Sequence, residues 1–159
     1  MFNLTITWRR LMYSIPMTLA FAAITAWSAP AQARAAHPLA QRLVTSVQAS
    51  HMDVAEVGIE LPSAKSCTTI ASTDPGDAGE KCESDDILPL KTGKPSVVKE
   101  SDGYDVSVLL HDSSGRQIGV LGIEMKLTGH TRTSALAEAR RIEREMAKQI
   151  TSRASLVAH

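Results

Sequence analysis

Three groups of residues in this sequence are of types that could do chemistry. Cys67 and Cys82 are its only cysteines. In an oxidising compartment two neighbouring cysteines pair by default, and this bond would close a loop of about 15 residues, worth about 3 kcal/mol in chain entropy. The alternative is two buried thiols. A metal site built from both cysteines with His51 or His111 lacks a recognisable ligand spacing. Asp74, Asp77 and Glu80 offer hard oxygen ligands, but without the spacing of a calcium loop they read equally well as a solvated turn. No metal and no cofactor is therefore expected.

The third group lies on one strand. Strict alternation from residue 104 puts Tyr104, Val106, Val108 and Leu110 on one side, and Asp105, Ser107, Leu109 and His111 on the other. The first side is core. The second is either a solvated surface or the polar wall of a pocket, so Asp105, Ser107 and His111 are candidate ligand contacts, and Tyr104 at the start of the core side is counted with them. His111 stands out because an imidazole titrates near neutral pH, although a strand-end histidine in water is the plainer reading. No nucleophile elbow, zincin helix or phosphate loop occurs, and the serines of Ser113-Ser114-Gly115 sit in a tight turn with no evident base. No catalytic residue is assigned and no enzyme activity is expected.

The elements that must position these residues follow from periodicity. His37-Pro38 opens a helix with Leu39, Leu43, Val44 and Val47 on one face, ending near His51. The period then changes, and Val57, Ile59 and Leu61 alternate against polar or glycine neighbours in a first strand over Glu56 to Leu61. A β-branched second strand covers Ser66 to Ser72. Turn residues from Thr73 to Gly79 lead into an acidic, weakly helical crossover from Glu80 to Leu90. Three strands follow, Ser96 to Glu100, Tyr104 to His111 and Gln117 to Leu127, with Gly119 and Gly122 marking a bend or a close approach. Thr131 or Thr133 caps a final helix whose stripe is Leu136, Ile142, Met146 and Ile150.

Lysine plus arginine and aspartate plus glutamate balance at 17 each, so no net field gathers nucleic acid, and nucleic acid is excluded as a partner. The distribution is uneven. Asp53 to Asp112 carries 13 acids against 5 bases, and Arg116 to the end carries 8 bases against 4 acids. At the start of the chain, Arg9-Arg10, the apolar run Leu11 to Trp27 and Ala31-Gln32-Ala33 have the three parts of a secretory signal. Cleavage after Ala33, with Ala35 or Ala36 as alternatives, divides the chain into a signal peptide (1–33) and one domain (34–159). The competing reading is an uncleaved anchor, since about 20 apolar residues span a bilayer. Periplasmic or secreted is the expected location. Past Ala36 no second stretch of membrane length occurs, so no transmembrane output of its own is expected.

The stretch Tyr104 to Leu127, YDVSVLLHDSSGRQIGVLGIEMKL, resembles the closing hairpin of extracytoplasmic Cache sensor domains, and Ser66 to Asp86 is similar to their second strand and pocket loop. The resemblance spans about Ala36 to Leu127. It implies an α+β fold, a PAS/Cache-like five-stranded antiparallel sheet with long N-terminal and C-terminal helices, and a small-ligand pocket between sheet and crossover. The expectation is an exported, sensor-like domain that binds a small polar metabolite and signals through a membrane sensor protein or a homodimer. A structural or interaction protein, acting by homodimerisation or partner docking without a ligand, is the alternative.

Overall fold

Proline at the head of a helix costs nothing, because the first turn has no partner for its N–H. Helix α1 (Pro38–Ser50) starts there in the computed structural model, which describes residues 37–158. It buries Ala40, Leu43, Val44 and Val47, and ends where His51 turns extended. The proposed signal peptide lies outside the described residues.

The alternating segments become five antiparallel strands: β1 (Val54–Pro62), β2 (Cys67–Ser72), β3 (Ser96–Lys99), β4 (Gly103–His111) and β5 (Gln117–Lys126). Their order across the sheet is β2-β1-β5-β4-β3, so the first and last strands of the chain pair at its centre. Register sets which side each residue faces. Val57 pairs with Ile123 and Ile123 with Val106, while Ile59 pairs with Leu121 and Leu121 with Val108. These rows form the apolar face. Helix α1 covers it over β1 and β2, and helix α3 (Arg132–Ala147) covers it over β4.

Thr131 caps α3, accepting from the Ser134 amide at 3.2 Å while Ser134 Oγ accepts from the Thr131 amide. The residues α3 buries are Ala135, Ala139, Ile142 and Met146; two alanines let the helix approach the sheet closely, and Leu136 is pushed to the margin. The expected stripe ran on to Ile150, but the helix stops at Ala147. Ile150 is fully buried outside it, its carbonyl accepting from the Ser113 amide of the β4–β5 turn at 2.8 Å. The chain then starts afresh on a Ser152 cap and forms α4 (Arg153–Val157), which places Leu156 in the core beside α1.

The opposite face is covered by helix α2 (Ser84–Thr92), which closes on Gly93 at φ 70°, a left-handed position suited to glycine. The crossover leading to α2 is tied along the edge of β2. Amide-to-carbonyl bonds join Thr69 to Glu80 and Gly79 to Thr69, and the Cys67–Cys82 disulfide spans 5.3 Å between Cα atoms. One exposed edge of the sheet is thereby occupied, and the other is the four-residue β3. Residues 37–158 belong to one compact unit. Among the described residues no helix is long and apolar enough to cross a membrane.

The disulfide closes a 15-residue separation. Replacing both cysteines by serine is expected to lower the unfolding free energy by about 3 kcal/mol, read from denaturant midpoints at constant m. Unchanged stability in the double variant would show that the hydrogen bonds alone hold the crossover.

Candidate functional site

The face of the sheet under α2 is built from the polar half of the alternation. Glu56 pairs with Glu124 and Glu124 with Asp105, so three carboxylates stand directly opposite one another on β1, β5 and β4. Like charges in that arrangement destabilise a sheet. In the next row Gly58 pairs with Gly122 and Gly122 with Ser107. The two glycines leave the floor open, and the side chain of Glu60 folds back across them. A Cβ on Gly58 would stand 2.6 Å from Glu60 Oε1, and one on Gly122 only 3.2 Å from the same oxygen and 3.6 Å from Asp86 Oδ1.

The result is a cavity of about 150 Å³ between the sheet, the crossover and α2. Glu60 lines it at 4% exposure, and its Oε2 is buried with no hydrogen-bond partner. Asp86 reaches in from α2, where Ser107 Oγ donates to its Oδ1 at 3.0 Å and the Glu83 amide to its Oδ2 at 3.1 Å. Glu56 accepts from Ser72 Oγ at 3.0 Å on the other side. The crossover contributes Asp77, Glu80 and Glu83 to the walls, together with Lys81, the one base lining the cavity among the described residues.

Crowded carboxylates out of water hold their protons. Burial, then the neighbouring charges of Asp86 and Asp105, push Glu60 well above the usual carboxylate range. Burial with the hydrogen-bonded Asp85 pushes Asp105 up to about 8, and burial with Asp77 pushes Glu56 up to about 7. Asp86 and Glu124 are raised as well, first by partial loss of solvent.

Of the four candidate contacts read from the sequence, Asp105 and Ser107 belong to this site: Asp105 lines the cavity, and Ser107 holds Asp86. Tyr104 and His111 are elsewhere. Tyr104 packs against the apolar core, as its position in the alternation requires. His111 was placed beside Asp105 by strict alternation, but the β4–β5 register slips after Leu110, so that His111 pairs with Gln117 and Ile118 is skipped. The slip turns His111 toward α3, where Nδ1 lies 2.9 Å from Glu143 Oε1. Glu60, Glu56, Asp86 and Glu124 were not singled out by sequence. A signal existed for two of them: Glu56-x-Gly58-x-Glu60 is the polar half of the alternation whose apolar half defined β1.

Among the described residues two clusters bring potential metal ligands together. Glu56, Asp74 and Asp77 meet at one side of the crossover, joining two of the acids considered for calcium to Glu56 instead of Glu80. His51, Asp53 and Glu138 meet beside α3, but the Arg141 guanidinium is hydrogen-bonded to Glu138 and fills the place of a cation.

No protein-family model matches the chain, and no curated protein matches it. Solved structures do. A protein assigned as a GAF sensor from Burkholderia vietnamiensis aligns at TM-score 0.53 and 12% identity over 73% of this chain and 76% of its own. The GAF domain of a two-component sensor histidine kinase from Bacillus halodurans aligns at TM-score 0.50 and 11% identity, over 70% and 90%. A protein assigned as a transcriptional regulator from Rhodococcus aligns at TM-score 0.55 and 8% identity, over 80% and 72%. The fold is thus α+β and similar to GAF/PAS-like sensor domains.

The raised carboxyls set a direction for pH. Each binds its proton more tightly in the folded than in the unfolded chain, so its contribution to stability is complete below about pH 4 and lost as pH rises toward 8. Asp53, Asp112 and Glu138 are held low and act below that window. The melting temperature of the empty protein is expected to fall from about pH 5 to about pH 8, and to fall less in Glu60→Gln. A melting temperature that climbs across this interval would contradict the assignment.

Proposed function

We propose that this protein is an exported, sensor-like binding domain of the Cache type, which captures a small polar metabolite in the cavity beneath α2. The observation that carries the reading is Glu60. An unpaired buried acceptor costs about 1–3 kcal/mol, and the two glycines opposite each other leave room where a larger side chain would exclude it. A polar group maintained at that cost and facing a cavity is in place for a ligand. The sensor-like fold supports the reading, as does the Cache resemblance of Tyr104 to Leu127. The disulfide and the signal-like first 33 residues support an oxidising, extracytoplasmic location. Occupancy would be read by a membrane partner or a second copy through the crossover and α2, the elements that roof the cavity. The reading assigns no catalytic step.

A thermal-shift screen of the purified protein against amines, amino acids, carboxylates and purines tests it, because a ligand of the folded state raises the melting temperature. The expected hit loses about tenfold or more in affinity, about 1.4 kcal/mol, in Glu60→Gln and in Asp105→Asn, and keeps its affinity in His111→Ala. Equal binding by wild type and both cavity variants would remove the pocket assignment.

Export has its own check. Intact-mass measurement of periplasmic material should give a species beginning near Arg34, whereas a membrane-bound species retaining Met1 would favour an anchor.

A further inference from the structure

The walls of the cavity say what charge its ligand carries. Four elements besides β1 present acids to Glu60: Asp86 from α2, Asp105 from β4, Glu124 from β5, and Asp77, Glu80 and Glu83 from the crossover. Glu56 adds another from its own strand, and among the described residues Lys81 at the surface is the single opposing charge lining it. An anion or a carboxylate-bearing zwitterion would place its negative group among these without a donor to receive it. Acidity alone would describe any solvated surface. Here it is joined by a second observation: Glu60, itself 4% exposed, lines the cavity, and its buried Oε2 has no hydrogen-bond partner.

Size and spacing narrow the class. A cavity of about 150 Å³ is far larger than a bare ion and matches a compact molecule of about six heavy atoms, the size of benzene. The carboxylates are also spread out. Glu60 and Asp86 meet over Gly122 at the floor, and the Glu56–Glu124–Asp105 row forms a wall one residue pair away. The acids whose oxygens converge tightly enough for one ion are Glu56, Asp74 and Asp77, a group that leaves Glu60 out. Two separated acidic positions in one short cavity suit two ammonium groups joined by a short apolar chain.

We infer that the cavity takes a small organic dication of the size of a short diamine, with one ammonium on Glu60 and Asp86 and the other against the Glu56–Glu124–Asp105 row. This assignment rests on the pocket-binding reading above and gives its ligand a chemical class. The ammonium on Glu60 donates to the orphan oxygen and favours the ionised carboxyl, while the one against the row relieves its like-charge pairs across β1, β5 and β4. Capture therefore releases protons that the empty cavity holds.

The test is calorimetric titration of the purified protein with 1,4-diaminobutane, with calcium chloride and with succinate, each in two buffers of different ionisation enthalpy. The diamine is expected to bind, to release protons near pH 6, and to weaken about tenfold or more in Glu60→Gln. Asp105→Asn, which changes the wall and leaves the floor intact, should weaken it too. Succinate or a neutral metabolite binding in a Glu60-dependent way would overturn the dication and leave the pocket reading standing. Calcium binding with no diamine binding would likewise overturn the organic cation while keeping the site. Diamine binding without proton release would overturn the placement on Glu60. No binding of any probe, together with a screening hit indifferent to Glu60→Gln and Asp105→Asn, would remove both the dication and the pocket.

Discussion

The constraint that organises this molecule is a carboxyl group folded inward over two glycines. Glu60 sits on β1, between two strands that pair on both of its edges, and its side chain needs the bare backbone of Gly58 and Gly122 to lie flat against the sheet. Any side chain at either glycine would meet it. That arrangement spends one face of a small sheet on a polar chamber, so the stability of the domain has to come from the other face. There Val57, Ile59, Leu121, Ile123, Val106 and Val108 interlock under α1 and α3, and each fully buried side chain of this kind contributes about 1.5–3 kcal/mol.

The roof of the chamber is held by different means. Helix α2 is short, buries little besides Pro89 and carries that proline inside it, so neither propensity nor apolar contact would fix it strongly. Its position depends on polar and covalent ties: the disulfide, the backbone bonds between β2 and the crossover, and the Ser107–Asp86 hydrogen bond. One of these ties, Asp86, is a carboxyl raised by burial, so the hold on the roof responds to pH.

Much of the fold was legible in the sequence because turn chemistry and period agree along most of the chain. The strands from Val54 to Lys126 begin and end within about two residues of where alternation and glycine or proline turns put them. The pairing of Cys67 with Cys82 was expected from there being just two cysteines, close in sequence, behind a signal-like first segment. What was not legible depended on events that have no local signature. A register slip after Leu110 moved His111 from one face to the other, which alternation cannot foresee. Helix α3 ends at Ala147, short of Ile150, whose carbonyl accepts instead from the Ser113 amide of the distant β4–β5 turn. The site itself was half visible: Asp105 and Ser107 were found on β4, and the partners on β1, β5 and α2 were missed because only the apolar half of β1 was used.

That omission has a physical lesson about where function lies in such a sheet. Apolar periodicity identifies the face that folds the protein, and a face so identified has little freedom left to bind anything. The complementary positions are the ones left free of that task, and here they are not the neutral or mixed-charge residues of a solvated surface. On β1 they read Glu56, Gly58, Glu60; on β5 they read Gly122, Glu124; on β4 they read Asp105, Ser107. A solvated face would have set lysines across from those acids, since opposite charges in register stabilise a sheet and like charges oppose it. Here glycine faces glycine across β1 and β5, and acid faces acid across β1, β5 and β4, with no lysine set in register against them.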